Sequence, residues 1–423
     1  MPSNSSAQQA GLDPAIAARI DAIESRVIAW RRDIHQHPEL GNREFRTAAL
    51  VAAHLRSLGI EVDTGVAHTG VVGLLRGAKP GPVVLLRADM DALPVTERND
   101  LPFRSDARTI YNDQEVGVMH ACGHDTHVAI LMGVAEILAG MRSDLAGTIK
   151  FVFQPAEEGA PHGEEGGAEL MVKEGVLTDP PVDAAFALHI ASLVPAGDLV
   201  YTRGGTWASS DDFRIVVRGR QTHGAYPWGG VDPIVTAAHI ITGLQTIVSR
   251  RMDLAANPSV VTVGKITGGN RSNIIPEEVE LIGTVRALNV QDRALLHERV
   301  RQVASGIAEG MGATAEVSIP YSGGYPVTVN DDEILAMMIP VLEAVAGPGR
   351  AREVKARLGA EDFSFIAQEI PSLYIQLGGM PRRLDPATAP AHHTPDFVIE
   401  ESALIVGVKA MTAMALHYLE NGK

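Results

Sequence analysis

Apolar residues recur at i, i+3 and i+4 over residues 14–34 and 44–58, the spacing that lays one apolar stripe along a helix. Three short runs are continuously apolar instead: VVLLRA at 83–88, IKFVF at 149–153 and AAFAL at 184–188. Such runs mark strands buried on both faces. A helical pattern over 126–140 separates the first two, and strands alternating with helices predict a largely parallel, covered sheet.

The pattern changes in the middle of the chain. Residues 211–219 alternate apolar and polar, as in a half-exposed strand. Then come a helical stretch at 231–251, strands near 259–267 and 278–287, a second helical stretch at 291–311, and a strand at 313–319. The order β-α-β-β-α-β predicts a ferredoxin-like α+β domain. The larger α/β pattern resumes with helical stretches at 333–346 and 401–418 and an apolar run at 373–377. The expected organisation is a catalytic domain over 1–200, an inserted ferredoxin-like lid or dimerisation domain over 201–322, and the rest of the catalytic domain over 323–423. A length of 423 residues suits more than one core.

Composition narrows the function classes. Apolar residues make up 45% and charged residues 21%, as in ordinary globular chains. The formal charge of −15 argues against nucleic acid and against an anionic membrane surface. One cysteine, Cys122, excludes an intrachain disulfide. No apolar run reaches the roughly 18 residues that span a membrane. The first residues, MPSNSSAQQAG, lack the apolar centre of a signal peptide. The expected location is the cytoplasm; a leader already removed would make the protein exported instead.

Ligands of open α/β sheets bind beyond the carboxyl ends of the strands. Here the run at 83–88 leads into Asp89 and Asp91, that at 149–153 into Glu157 and Glu158, and that at 184–188 into His189. Cys122 and His124 stand just before a helix, with His120 and His127 beside them, and His392 and His393 lie near the C-terminus. Taken singly, each has a plainer reading. An isolated Glu-Glu is usually a solvated pair, a lone cysteine a buried hydrophobe, and a histidine on a helix a packed one. Together they make the mixed soft and hard ligand set of a borderline metal. Two such ions polarise a scissile carbonyl and acidify a water between them. One carboxylate must then bind metal while another takes the proton, and adjacent glutamates can divide those tasks. A thiolate between two cations stays deprotonated and can bridge them.

Ten motifs run through nearly the whole chain: RDIHQHPELG (32–41), DMDALPV (89–95), HACGHD (120–125), FQPAEEG (153–159), ALH (187–189), THGAYP (222–227), NIIP (273–276), GTVRA (283–287), GAEDF (359–363) and HTPDF (393–397). In this set and order the chain resembles the co-catalytic metallopeptidase and amidohydrolase family of hippurate hydrolase, aminoacylases and indole-3-acetyl-amino-acid hydrolases. The resemblance implies a zinc-exopeptidase-like α/β fold with helices on both sheet faces. It implies two divalent metal ions, zinc or manganese, with cobalt or nickel also suited, held by Cys122, His124, Glu158, His189 and His393. Glu157 would be the general base and later the proton donor to the leaving amine, and Asp91 a supporting carboxylate behind the ligands. His223 would stabilise the developing oxyanion, often in a neighbouring subunit's site, and Asn273 would contact the substrate's carboxylate or carbonyl. The inserted domain would make a homodimer, or a larger homo-oligomer.

The expected reaction is hydrolysis of N-acyl or N-aroyl amino acids: hippurate-like, indole-acetyl-amino-acid-like, or a phenylalanine amide such as ochratoxin A. A carboxypeptidase, a dipeptidase or an N-acetyl amino acid deacetylase would use the same centre. A metal- or ligand-binding protein on an inactive scaffold should have lost the base or a ligand, and this chain retains Glu157 and the whole ligand set.

Overall fold

The computed structural model describes residues 11–422, so the polar N-terminal stretch read above lies, apart from Gly11, outside the described residues. The chain divides into two compact units, residues 1–203, 330–354 and 365–423 in one and 204–329 and 355–364 in the other.

The first unit is built on an eight-stranded mixed sheet. Its centre is parallel: Ala146–Gln154, Lys79–Asp89, Ala184–Pro195 and Ser372–Met380 lie side by side in that order. Outside Ala146–Gln154, Gly70–Arg76 and then Glu61–Val66 add antiparallel strands. At the other edge Leu199–Tyr201 runs antiparallel to Ser372–Met380, and Ala351–Glu353 is parallel to it. The continuous apolar runs are the central strands because only there do side chains on both faces escape water: Val84, Leu86, Ile149, Phe151, Phe153, Ala184 and Phe186 are all fully buried.

Helices flank this sheet. His124–Ala139 is buried along almost its whole length. It packs on the sheet beside Leu404–Asn421, which also contacts the strands, and against Glu24–Gln36. By length and composition the segment Glu401–Asn421 could cross a membrane. Its apolar residues, among them Leu404, Val408, Met411, Met414 and Leu419, instead form part of the core.

The structure departs from the sequence pattern in three places. The helix expected over 14–34 is two, Pro14–Asp21 and Glu24–Gln36. Ile20, Ile23, Val27 and Ile34 stay buried on both sides of the break, so the apolar stripe carries no trace of the interrupted hydrogen bonding. The strand expected to end before His189 continues to Pro195, with His189 opposite Gln376 of its parallel neighbour. The edge strand Glu61–Val66, mostly exposed, carries too little apolar periodicity to be read from sequence; its inner neighbour Gly70–Arg76 is a short apolar run broken by Gly73.

The second unit shows the β-α-β-β-α-β order. Its sheet runs Val260–Gly268, Glu278–Arg286, Ser210–Arg218, Thr314–Ser318, with antiparallel pairs throughout. The helices Pro233–Arg251 and Val290–Gly310 cover it and are capped by Asp232 and Asn289, whose side chains accept from first-turn amides. Phe213, Ile215, Val217, Leu244, Leu281 and Leu296 lie in its separate core. Residues 355–364, expected with the larger domain, belong here. The Arg357 amide donates to Thr206 and the Ala208 amide donates to the Arg357 and Gly359 carbonyls. Such backbone pairing has no signature in the local sequence.

Candidate metal centre

The carboxyl ends of Lys79–Asp89 and Ala146–Gln154 bring Asp89, Glu157 and Glu158 to one region of the first unit, where His189 stands within the strand Ala184–Pro195. Cys122 and His124 reach it at the start of the helix His124–Ala139, through Gly123 at φ +94°. A side chain at Gly123 would be strained at that φ, and its Cβ would fall 2.4 Å from Ile190 Cγ2. Ala156, just before the glutamates, has φ +52°, and His393 has φ +62°. Non-glycine residues held in this region are costly and cluster at functional sites.

Cys122 is the common member. Its Sγ lies 3.4 Å from His189 Nε2 and 3.3 Å from His393 Nε2. His393 Nε2 is in turn 3.1 Å from Glu158 Oε1. Ligand atoms of Cys122, His124 and His189 lie within 4.8 Å of one another, as do those of Cys122, Glu158 and His393. The thiol thus belongs to two ligand groups, the arrangement a bridge between two ions requires.

The tautomers follow from the partners. His124 Nδ1 donates to the Asp91 carbonyl at 2.8 Å and faces Asp91 Oδ1 at 3.1 Å. This leaves Nε2 buried with no hydrogen-bond partner. Glu157 Oε2 and Asp89 Oδ2 each stand 3.8 Å from that nitrogen. His189 Nδ1 donates to the Ile190 carbonyl at 2.5 Å, which turns Nε2 toward Cys122. Asp91 also accepts the Glu158 amide at 2.9 Å. It therefore orients both an imidazole and a carboxylate of the group, as carboxylates behind metal-bound histidines commonly do.

The neighbouring histidines are used differently. His127 Nδ1 donates to Asp89 Oδ1 at 2.5 Å, and its Nε2 accepts the Ile190 amide at 2.8 Å. His392 Nδ1 donates to the Cys122 carbonyl, and its Nε2 accepts the Ser192 amide, both at 3.1 Å. Both rings therefore have both nitrogens committed, which leaves His124 and His393 as the outward members of their pairs. His120 is buried, and burial pushes its pKa down to about 3.

The electrostatics suit cations. Burial and the neighbouring Glu158 and Glu157 push the Cys122 thiol well above its usual range, and bound cations reverse such a shift. Burial, with His127 and His392 close by, keeps His189 neutral. Burial would also lower His124, but Asp89 and Asp91 outweigh it and the pKa rises to about 10. A thiol, three imidazoles and adjacent carboxylates, with one buried ring nitrogen left unbonded, fit two divalent ions.

Glu44 was not among the sequence candidates. It is fully buried and accepts from the Ala156 amide at 2.9 Å and from the Thr69 hydroxyl at 2.5 Å. It thus holds the left-handed turn that precedes Glu157. Burial, and then Asp91, raise its pKa to about 8. Nothing in the sequence distinguishes it from a surface glutamate. His223 and Asn273 belong to the second unit, where the short ladder pairing His223 with Ile274 and the Gly224 amide bonded to the Asn273 carbonyl bring them together. His223 and Asn273 are both exposed.

The profile of Peptidase family M20/M25/M40 matches residues 85–417. Thermostable carboxypeptidase 2 of Saccharolobus solfataricus is 39% identical over 400 residues, covering 94% of this chain and 97% of that protein. N-acetylcysteine deacetylase of Bacillus subtilis is 37% identical over 405 residues, 95% of this chain and 99% of that protein. IAA-amino acid hydrolase ILR1-like 2 of Arabidopsis thaliana is 36% identical over 396 residues, 93% and 85% of the two chains. The crystal structure of Bacillus subtilis YXEP, described as a dinuclear metal binding peptidase from the M20 family, superposes with a TM-score of 0.78 at 34% identity, covering 95% of this chain and 99% of that one.

Proposed function

This chain belongs to peptidase family M20/M25/M40 and is a metal-dependent hydrolase of amide bonds, and on that premise we propose that it cleaves N-acyl or N-aroyl amino acids. The observation that carries the reading is the convergence of Cys122, His124, Glu158, His189 and His393 around one thiol, with Glu157 beside them. The names of three relatives point the same way. A carboxypeptidase, an N-acetylcysteine deacetylase and an IAA-amino acid hydrolase all act on an amide whose nitrogen belongs to an amino acid.

In this reading Cys122, His124, Glu158, His189 and His393 hold two divalent ions, zinc or manganese. Bound there, the ions supply Lewis acidity at the scissile carbonyl and lower the proton affinity of the attacking water. Glu157 takes the proton of that water and delivers it to the amine nitrogen as the C–N bond breaks, so one water and one amide become a carboxylic acid and an amine. It is buried, with only 6% of the residue exposed, and its Oε2 stands 3.8 Å from His124 Nε2. Asp91 holds His124 and Glu158 in place. His223 and Asn273 act on the oxyanion and the substrate carboxylate, in a homo-oligomer that places them at a neighbouring subunit's centre.

The relation to a carboxypeptidase supports a second substrate class, the C-terminal residue of a peptide. The test is a hydrolysis panel on purified protein with metal content measured on the same sample. It contains hippurate, N-acetyl and indole-acetyl amino acids, ochratoxin A and simple dipeptides, with and without a chelator. Chelator-sensitive cleavage of the acylated amino acids with close to two metals per chain is expected. Cleavage of dipeptides alone would replace the proposal by the peptidase reading.

A further inference from the structure

A cavity of about 380 Å³ opens beside the metal centre within the first unit, and Asp91 and Glu158 are among its lining residues. The remaining wall is mostly apolar, formed by Leu40, Leu93, Pro94, Ile110, Tyr111 and Pro161. Such a volume lies at the small end of the roughly 300–1,000 Å³ of small-molecule sites. It accommodates a ring or a medium acyl chain rather than a folded peptide.

Ile110 and Tyr111 come from a hairpin, Arg108–Tyr111 paired with Gln114–Gly117. Its turn residues Asn112 and Asp113 have φ +50° and +61°, the geometry of a tight turn matched to strand twist. The hairpin is tied at its base, where the Val118 amide donates to the Ala107 carbonyl and the Gly117 amide to Thr96 Oγ1. Ile110 is nonetheless 69% exposed and Tyr111 43%. Large apolar side chains left in water at the rim of a cavity mark a binding surface.

The cavity's charges decide which end of the substrate it takes. Its lining cation, Arg43, already forms two bonds to Glu164, and its NH1 also donates to the Asn42 carbonyl. No lining guanidinium or ammonium group is therefore left over to pair with a substrate carboxylate.

Resting on the amidohydrolase reading, we propose that this cavity is the acyl pocket: it receives the neutral, preferably aromatic acyl group of the substrate, and the hairpin wall sets acyl selectivity. The free carboxylate of the amino acid lies elsewhere.

The test compares kcat and KM for N-acetyl, N-benzoyl and N-indoleacetyl derivatives of two amino acids, one apolar and one acidic. Two variants are measured: the paired change Ile110→Ser with Tyr111→Ser, and Ala160→Phe, which narrows the cavity. Metal content reports that each variant is folded. The benzoyl-to-acetyl ratio of kcat/KM should fall about tenfold or more, chiefly through KM, since even one methylene in an apolar pocket changes discrimination about tenfold. A ratio within twofold of wild type in both variants overturns the acyl pocket. So does a changed preference among amino acids with the acyl ratio intact. A wild-type protein that cleaves none of these amides, with metals bound, overturns the parent reading and the pocket together.

Discussion

Two buried clusters of charged and imidazole groups lie close together in the first unit, and they are built to different ends. In one, Arg31 Nε donates to Asp125 Oδ2 at 2.7 Å, His35 Nδ1 reaches the same oxygen at 2.9 Å, and His35 Nε2 stands 3.2 Å from Glu97 Oε1. Glu97 also accepts the Ser105 amide, and Arg31 lies 4.9 Å over the Phe103 ring. Burial and Arg31 oppose a charge on His35, yet Asp125 and Glu97 raise its pKa. Cation answers anion inside the protein. At the metal centre the carboxylates Glu157 and Glu158 and the thiol of Cys122 meet a neutral His189 and an unbonded His124 Nε2. Apart from the His124 imidazolium, the positive charge of that cluster has to come from outside. Both clusters contain histidine and acid in near-adjacent motif positions, so composition does not separate them; how far the carboxylates are matched by protein cations does.

Glu157→Gln is the sharpest test of this contrast. With the base gone and the ligands intact, turnover should drop by about 10²–10⁴-fold while metal content stays at wild-type level. More than a few per cent residual kcat would assign the proton transfer to another group. The same exchange in the paired cluster should act on stability. Asp125→Asn leaves Arg31 and His35 without their shared anion, and breaking a buried pair costs about 3–5 kcal/mol. Denaturant unfolding should show that loss with metals retained; a loss below about 1 kcal/mol would mean that the network is not what holds this part of the fold.

Asp91→Asn should do the reverse. It leaves global stability nearly unchanged but lowers metal affinity or activity by about 10–100-fold, because the side chain facing His124 Nδ1 and the Glu158 amide loses its charge and one of its two acceptor oxygens. Unaltered affinity and activity would make Asp91 a bystander.

A smaller effect is read in pH. Without metal, His124 keeps its proton up to about pH 10. Because this folded-state pKa lies above the unfolded value of 6.5, the group stabilises the metal-free chain fully below pH 6.5 and loses that contribution as pH rises toward 10. Metal binding must displace the same proton, so affinity should strengthen by up to about tenfold per pH unit over this range. Calorimetry in buffers of different ionisation enthalpy should register the released proton. Affinity independent of pH from 7 to 9 would show that His124 is not among the groups that bind.

Much of the centre was legible in the chain. Asp89, Glu157 and Glu158 follow apolar runs, and a run of that kind becomes a central strand whose carboxyl end faces a ligand site. His189 was found by the same rule although its strand runs past it. Glu44 was not legible, because its burial against Ala156 and Thr69 joins segments far apart in sequence. Nor could the sequence choose between His392 and His393 by itself; the backbone groups of Cys122 and Ser192 occupy the first.

The sequence by itself determined the α/β and β-α-β-β-α-β element orders, the family, and the inventory of ligand-type residues, because periodicity and motif spacing are local properties of the chain. The tertiary structure alone decided how the imidazole nitrogens are bonded, which carboxylates stand behind the candidate ligands, and where an apolar cavity meets the candidate centre. Those depend on hydrogen bonds and burial between residues up to 271 positions apart, as from Cys122 to His393, and no local pattern encodes a partner at that distance.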